Sequence, residues 1–99
     1  MHRNLRLLDL NLLLVFDALY RHRRVAEAAS ELAMSPSAFS HALSRLRSSL
    51  NDPLFSRQGS QMQPTPRAES LFPAIAGALS ALNGELGQAD LFRPETSNQ

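Results

Sequence analysis

Two hydroxyl-proline pairs, Ser35-Pro36 and Thr65-Pro66, do most to limit what this chain can fold into. A hydroxyl at the cap position accepts from free amides of the first helical turn, and proline at the first helical position lacks only an N–H that would go unbonded there. Each pair therefore opens a helix. Asp9, another good cap, opens one near the start of the chain. With breaks at short Gly, Pro, Ser and Asn clusters, the chain reads as four helices and one hairpin.

The first helix is expected from residue 10 to about 21, with Leu12, Phe16 and Leu19 at helical spacing as core. The second, about 25–33, offers Ala28, Ala29 and Leu32, small enough for close approach, and a tight turn leads straight to the third, 36–50. Segments 54–57 and 62–64 flank a polar Gln58-Gly59-Ser60-Gln61 tip and predict a hairpin whose ladder Pro64 limits. The fourth helix, from Pro66 to about Leu86, would be ~30 Å long and bent locally at Pro73, which lacks a donor. After Gly87, a tail carrying Pro94, Thr96, Ser97 and Asn98 reads as a disordered linker.

The third helix divides into two faces. At about 100° per residue, Phe39, Leu43, Leu46 and Leu50 fall within roughly 60° of one another, and Ser37, Ser40, His41, Ser44 and Ser48 within roughly 100° on the opposite side. The polar face holds no acid and is flanked by Arg45 and Arg47. Short hydroxyls, one imidazole and flanking guanidinium groups suit close approach to a groove between phosphate ridges, whereas an ordinary solvated helix usually mixes acids with lysines. Arg57 and Arg67 bracket the hairpin, where a wing would carry arginine to the backbone or minor groove.

Charge follows the same division. All ten basic residues are arginine, and the net charge of +1 conceals an asymmetry: nine arginines and five acids lie within the first 67 residues. No cysteine is present, which removes disulfides and thiolate chemistry, and three scattered histidines suggest no metal site. No cofactor is implied. The apolar stretch from Leu10 to Tyr20, interrupted by Asn11 and Asp17, is too short to cross a bilayer and no signal peptide precedes it, so a cytoplasmic protein with no membrane partner is expected.

In the fourth helix Ala68, Leu71, Phe72, Ile75, Ala78, Leu79, Leu82 and Leu86 form a continuous apolar stripe. A small bundle cannot cover ~30 Å of such surface alone, so a second subunit, meeting Leu71, Phe72, Ile75, Leu79, Leu82 and Leu86, is the expected cover. Docking against a further domain is the alternative.

These residues resemble the LysR-type transcriptional regulator family over about residues 8–92. Asp9-Leu10-Asn11-Leu12-Leu13, the run from Ser35 to Leu43, Arg45-Leu46-Arg47, Asp52-Pro53-Leu54-Phe55 with Arg57, and Pro64-Thr65-Pro66 resemble it in order and spacing, and the Arg45-Leu46-Arg47 and Asp52-Pro53-Leu54-Phe55 variants look most like the branch of nodulation and aromatic-catabolism regulators. The resemblance implies a mainly α winged helix-turn-helix over 1–65, a linker and dimerisation helix over 66–87, and a hinge over 88–99. It implies a homodimer on double-stranded DNA, reading an interrupted inverted repeat. Pro36, Ser37, Ser40, His41 and Ser44 would face the major groove, with Ser35 at the helix start and Arg57 in the wing role, while Arg45, Arg47 and Arg57 would mainly supply position and salt-dependent affinity. The family also carries a C-terminal effector-binding domain, towards which Phe92-Arg93-Pro94 resembles the approach. The 99 residues thus read as a fragment without it, and a small-molecule inducer would act only in a full-length protein.

Two departures stand out. Pro36 replaces a glutamine common in the family, so that part of the usual base readout would be lost or moved to His41, and Ala26 replaces a serine or threonine that commonly caps the second helix, at a cost of about 1 kcal/mol. Two other function classes remain open: a helical dimerisation module whose serine-rich face meets a protein, and an enzyme. The latter lacks any acid, base and nucleophile constellation in the sequence, so no enzyme activity is expected.

Overall fold

A computed structural model describes residues 9–89. Helices α1 (Leu10–His22), α2 (Val25–Glu31) and α3 (Pro36–Leu50) are followed by strands β1 (Phe55–Gln58) and β2 (Gln61–Pro64) and by the long helix α4 (Pro66–Ala89). This is a winged helix-turn-helix continued by one extended helix.

The starts follow the cap chemistry. Asp9 accepts from Leu12 N through Oδ1 at 2.9 Å, Ser35 Oγ from Ala38 N at 3.0 Å, and Thr65 Oγ1 from Ala68 N at 3.2 Å. Helix α2 differs: its N-cap is Arg24, not the neighbourhood of Ala26, and no side chain caps it.

The ends depend on left-handed backbone at residues other than glycine. Arg23 (φ 65°), Ala33 (φ 56°) and Asn51 (φ 52°) each follow a helix in this conformation. At Ala33 the amides of Ala33 and Met34 bond the carbonyls of Ser30 (3.1 Å) and Ala29 (2.9 Å), closing the Schellman pattern. That closure stops α2 at Glu31, two residues before the expected end, and makes the turn into α3 tight.

The core is a single cluster. Leu12, Val15, Phe16, Ala18 and Leu19 from α1 meet Ala28 and Ala29 of α2, Phe39, Ala42, Leu43 and Leu46 of α3, Leu54, Phe55 and Met62 of the wing, and Ala68 of α4. The alanines let α1, α2 and α3 approach closely, and Phe16 sits among aromatic rings, with Phe55 at 5.7 Å and Phe72 at 6.5 Å between centroids. Leu50 lies at the edge of this cluster, half-buried.

The hairpin is antiparallel, with Phe55 opposite Pro64 and Gln58 opposite Gln61. Its loop is therefore Gly59-Ser60 alone, two residues instead of the expected four-residue tip. Gly59 has φ 63°, the positive value that the first loop position of a type II′ turn requires. Leu54, expected in the first strand, precedes it: its φ of 64° breaks the extended run and turns its side chain into the core.

Helix α4 continues unbroken through Pro73 and extends to Ala89, two residues beyond the expected linker helix. The remainder of the expected hinge, including Phe92 to Pro94, lies outside the described residues.

Candidate nucleic-acid interface

Helix α3 carries its apolar residues into the core and leaves the opposite face open. Phe39, Leu43 and Leu46 are buried, whereas Ser35, Pro36, Ser37, Ser40, His41 and Ser44 are all exposed on one helix and its cap. The exposed face presents hydroxyls and one imidazole and no carboxylate of its own. Packing of α1 and α2 against the other side holds it out as a ridge, and 15 residues at 1.5 Å each make it about 22 Å long.

The flanking arginines divide in role. Arg45 is exposed and its Nη2 lies 3.4 Å from Oδ2 of Asp9, the carboxylate whose other oxygen caps α1. An exposed pair of this kind contributes little to stability. Arg47, expected to flank the polar face, is half-buried: Nε donates to the Pro53 carbonyl at 2.7 Å and Nη2 to that of Phe55 at 3.0 Å. It ties the end of α3 to the first strand of the wing. Arg57 is exposed on β1, and its guanidinium has no partner among the described residues.

A second tie fixes the wing to α4. Asp52 Oδ2 accepts from Leu54 N at 2.8 Å and from the Thr65 hydroxyl at 2.9 Å, while the Leu54 carbonyl accepts from Thr65 N at 2.8 Å. The Asp52-Pro53-Leu54-Phe55 and Pro64-Thr65-Pro66 runs are thus two halves of one structural latch at the base of the hairpin.

Helix α4 uses its stripe in two ways. Leu71, Phe72 and Ile75 are half-buried against this chain's own core, where the Phe72 ring stacks on Tyr20 of α1, while Leu71 and Ile75 also line an open apolar groove with Leu10, Leu13 and Leu50. Further along, Leu82 and Leu86 are each 48% exposed, as are Leu10 (51%) and Leu14 (36%) on α1. With Ala76 and half-buried Leu79 these residues line an apolar groove between α1 and α4. Leu10 and Leu14 were not anticipated there, although their exposure follows from Leu12, Val15 and Phe16 taking the core face of α1.

Beside the groove, Arg21 is bonded to Asp17 and Glu31, and His22 Nε2 lies 2.7 Å from Glu31 Oε1. Hydrogen bonds from Arg21 and then His22 hold the Glu31 carboxyl at about 2, well below its usual range. No group of three or more His, Cys, Asp or Glu side chains suited to a metal ion occurs among the described residues, and no described helix is long and apolar enough to cross a membrane.

A buried helix-turn-helix, a projecting acid-free second helix and a basic hairpin beside it define the class of winged helix-turn-helix DNA-binding domains. Residues 10–69 match the family model described as bacterial regulatory helix-turn-helix protein, lysR family, and the chain belongs to that family. It is 46% identical over 95 residues to the HTH-type transcriptional activator NahR of Pseudomonas putida, a match covering 96% of this chain and 32% of the relative. A probable transcriptional regulator from Pseudomonas aeruginosa superimposes with a TM-score of 0.90 at 64% identity, over 97% of this chain and 32% of that one. The DNA-binding domain of BenM, solved in complex with benA site 1 DNA, shares the fold (TM-score 0.75, 19% identity, 84% of this chain and 96% of that one). The chain thus spans about a third of the length of NahR.

Proposed function

We propose that this chain is the DNA-reading module of a cytoplasmic transcription regulator, acting as a homodimer that sets two copies of α3 into successive major grooves of an interrupted inverted repeat. The observation that carries this reading is the exposed, acid-free face of α3, with Ser37, Ser40, His41 and Ser44 presented on a rigid ridge. Ser35 and Pro36 stand at its leading end, Arg45 and Arg57 supply phosphate contacts, and Arg47 acts indirectly by holding the wing. Residues 1–65 form the reading domain, α4 is the linker helix, and the residues after it lead towards the inducer-binding part of a longer protein.

The groove formed by Leu10, Leu14, Leu79, Leu82 and Leu86 supports dimerisation through the second half of α4, because exposed apolar surface on two helices is what a second copy would cover. Selection of bound duplexes from a randomised pool, followed by titration of the winner against scrambled DNA at two salt concentrations, tests the reading. An enriched inverted repeat bound on the order of 10³-fold more tightly than scrambled DNA is expected. Equal, steeply salt-dependent binding to every duplex would remove sequence specificity from this module, and binding to a protein partner with none to DNA would replace the reading altogether.

A further inference from the structure

The hairpin has a third flank that its two strands do not reveal. Met62 N donates to the carbonyl of Arg23 at 2.7 Å, and Met62 stands opposite Arg57 in the strand register. Strand β2 therefore runs between β1 on one side and the segment joining α1 to α2 on the other. Arg24 in that segment is extended (φ −135°, ψ 131°), and its Nη2 lies 3.5 Å from Ser60 Oγ in the wing loop. Its side chain is 46% exposed, and its other contact is Glu27 one turn along α2, at 3.6 Å. An exposed pair at that separation holds a guanidinium weakly.

We propose that Arg24 and Arg57 are the two arms of one phosphate clamp, gripping the opposite backbones that border the minor groove when the wing approaches it. This inference rests on the DNA-binding reading above and adds to it a residue, Arg24, and a geometry. The flanks of a three-segment ribbon lie two strand spacings apart, about 10 Å. A minor groove about 6 Å wide with a phosphate ridge on each side falls between arms so placed, since each guanidinium stands at the end of a long stem. Ser60 keeps Arg24 at the loop, and Glu27 gives it up to the stronger acceptor, because a phosphate can take two parallel N–H bonds. A lone arginine would hold one backbone and leave the wing free to pivot, whereas two fix its depth.

Salt-dependent titration of the whole chain on its selected operator and on a scrambled duplex tests the clamp. Because the dimer carries two copies, Arg24→Ala is expected to weaken both complexes about tenfold for each lost contact and to lower the log–log salt slope by about two. Arg24→Lys should restore the slope, and Arg24→Ala with Arg57→Ala, which removes contacts from both subunits, should lower it by about four. Thermal melting of each variant separates charge from fold: a lowered melting temperature with the wild-type slope would make Arg24 a structural tie to Ser60 and overturn the clamp alone. A wild-type chain that binds no duplex would overturn the DNA-binding reading and the clamp with it.

Discussion

The rings of Tyr20 and Phe72 lie face to face, 3.9 Å between centroids and within 8° of parallel, and join the end of α1 to the first half of α4. The Arg23 guanidinium covers the Tyr20 ring from 4.8 Å, so a cation, a phenol and a phenyl ring connect the base of the wing to α4. Phe72→Ala removes the last member of this series, together with its contact to Phe16. As Phe72 is half-buried, a loss of about 2 kcal/mol is expected, below the range for a fully buried phenylalanine. Denaturant unfolding at several protein concentrations checks the assignment: the added destabilisation should be the same at each, whereas Leu82→Asp should act mainly through dimer dissociation, seen by sedimentation.

Ala33 holds a left-handed backbone (φ 56°) that costs an L-residue roughly 1–2 kcal/mol. Glycine has no such cost but loses more freedom on folding. Ala33 is exposed, so nothing is lost from the core. Ala33→Gly should therefore stabilise the fold by about 0.5–1 kcal/mol, and Ala33→Val, with a branched side chain at the same φ, should destabilise it. Urea unfolding midpoints of the pair check both signs; a less stable glycine variant would mean that the backbone is not strained there.

The Asp52 carboxylate is the shared acceptor of Leu54 N and the Thr65 hydroxyl. Asp52→Ala leaves two part-buried donors without their acceptor, which should cost about 2 kcal/mol. Local opening should exceed the global loss at the latch, so amide exchange of Leu54 and Thr65 should accelerate more than that of Phe16 or Leu46. Uniform acceleration would show that Asp52 does not hold the wing base in particular.

Both faces of α3 were legible because helical periodicity is a local property: once Ser35-Pro36 sets the start, residue spacing decides which side chains are buried. The caps at Asp9, Ser35 and Thr65 were legible for the same reason. Contacts created by chain reversal were not. Arg47 reads as one more cation beside a polar face until the turn at Asn51 and Leu54 brings the Pro53 and Phe55 carbonyls back to it. Likewise the α4 stripe is evident from spacing, but only the packing of α1 divides it into a half-buried part at Leu71, Phe72 and Ile75 and an open part at Leu82 and Leu86. The end of α2 was missed because Ala33 is a poor signal for a left-handed turn, a position where glycine or asparagine is the informative residue.

The network around Glu31 gives stability a defined dependence on acid. Its carboxyl is held at about 2 by Arg21 and then His22, against about 4.3 in an unfolded chain. A depressed carboxyl contributes stability above the unfolded value and loses it as pH falls through the folded one, so this contribution should disappear between about pH 5 and pH 2. The partners are 42% and 36% exposed, and solvent screening keeps the effect small. Unfolding midpoints measured across that window should fall less steeply for Glu31→Gln than for the unaltered chain, and the two curves should converge near pH 2. Parallel curves would mean that the Arg21 contact does not persist in solution.

His41 and Arg57 provide the test of how recognition is divided. His41 is exposed on the α3 face, with ring nitrogens able to meet base edges, whereas Arg57 lies on the wing with no side-chain partner among the described residues. A contact to a base edge discriminates by about 1–3 kcal/mol, and a phosphate contact by almost nothing. His41→Ala should therefore change which duplexes are enriched from a random pool while leaving the salt slope nearly unaltered. Arg57→Ala should preserve the enriched sequence, weaken all duplexes alike and lower the slope by about two, one for each subunit. Uniform loss in both variants would mean that α3 supplies affinity without readout, and that the sequence preference comes from the shape of the DNA.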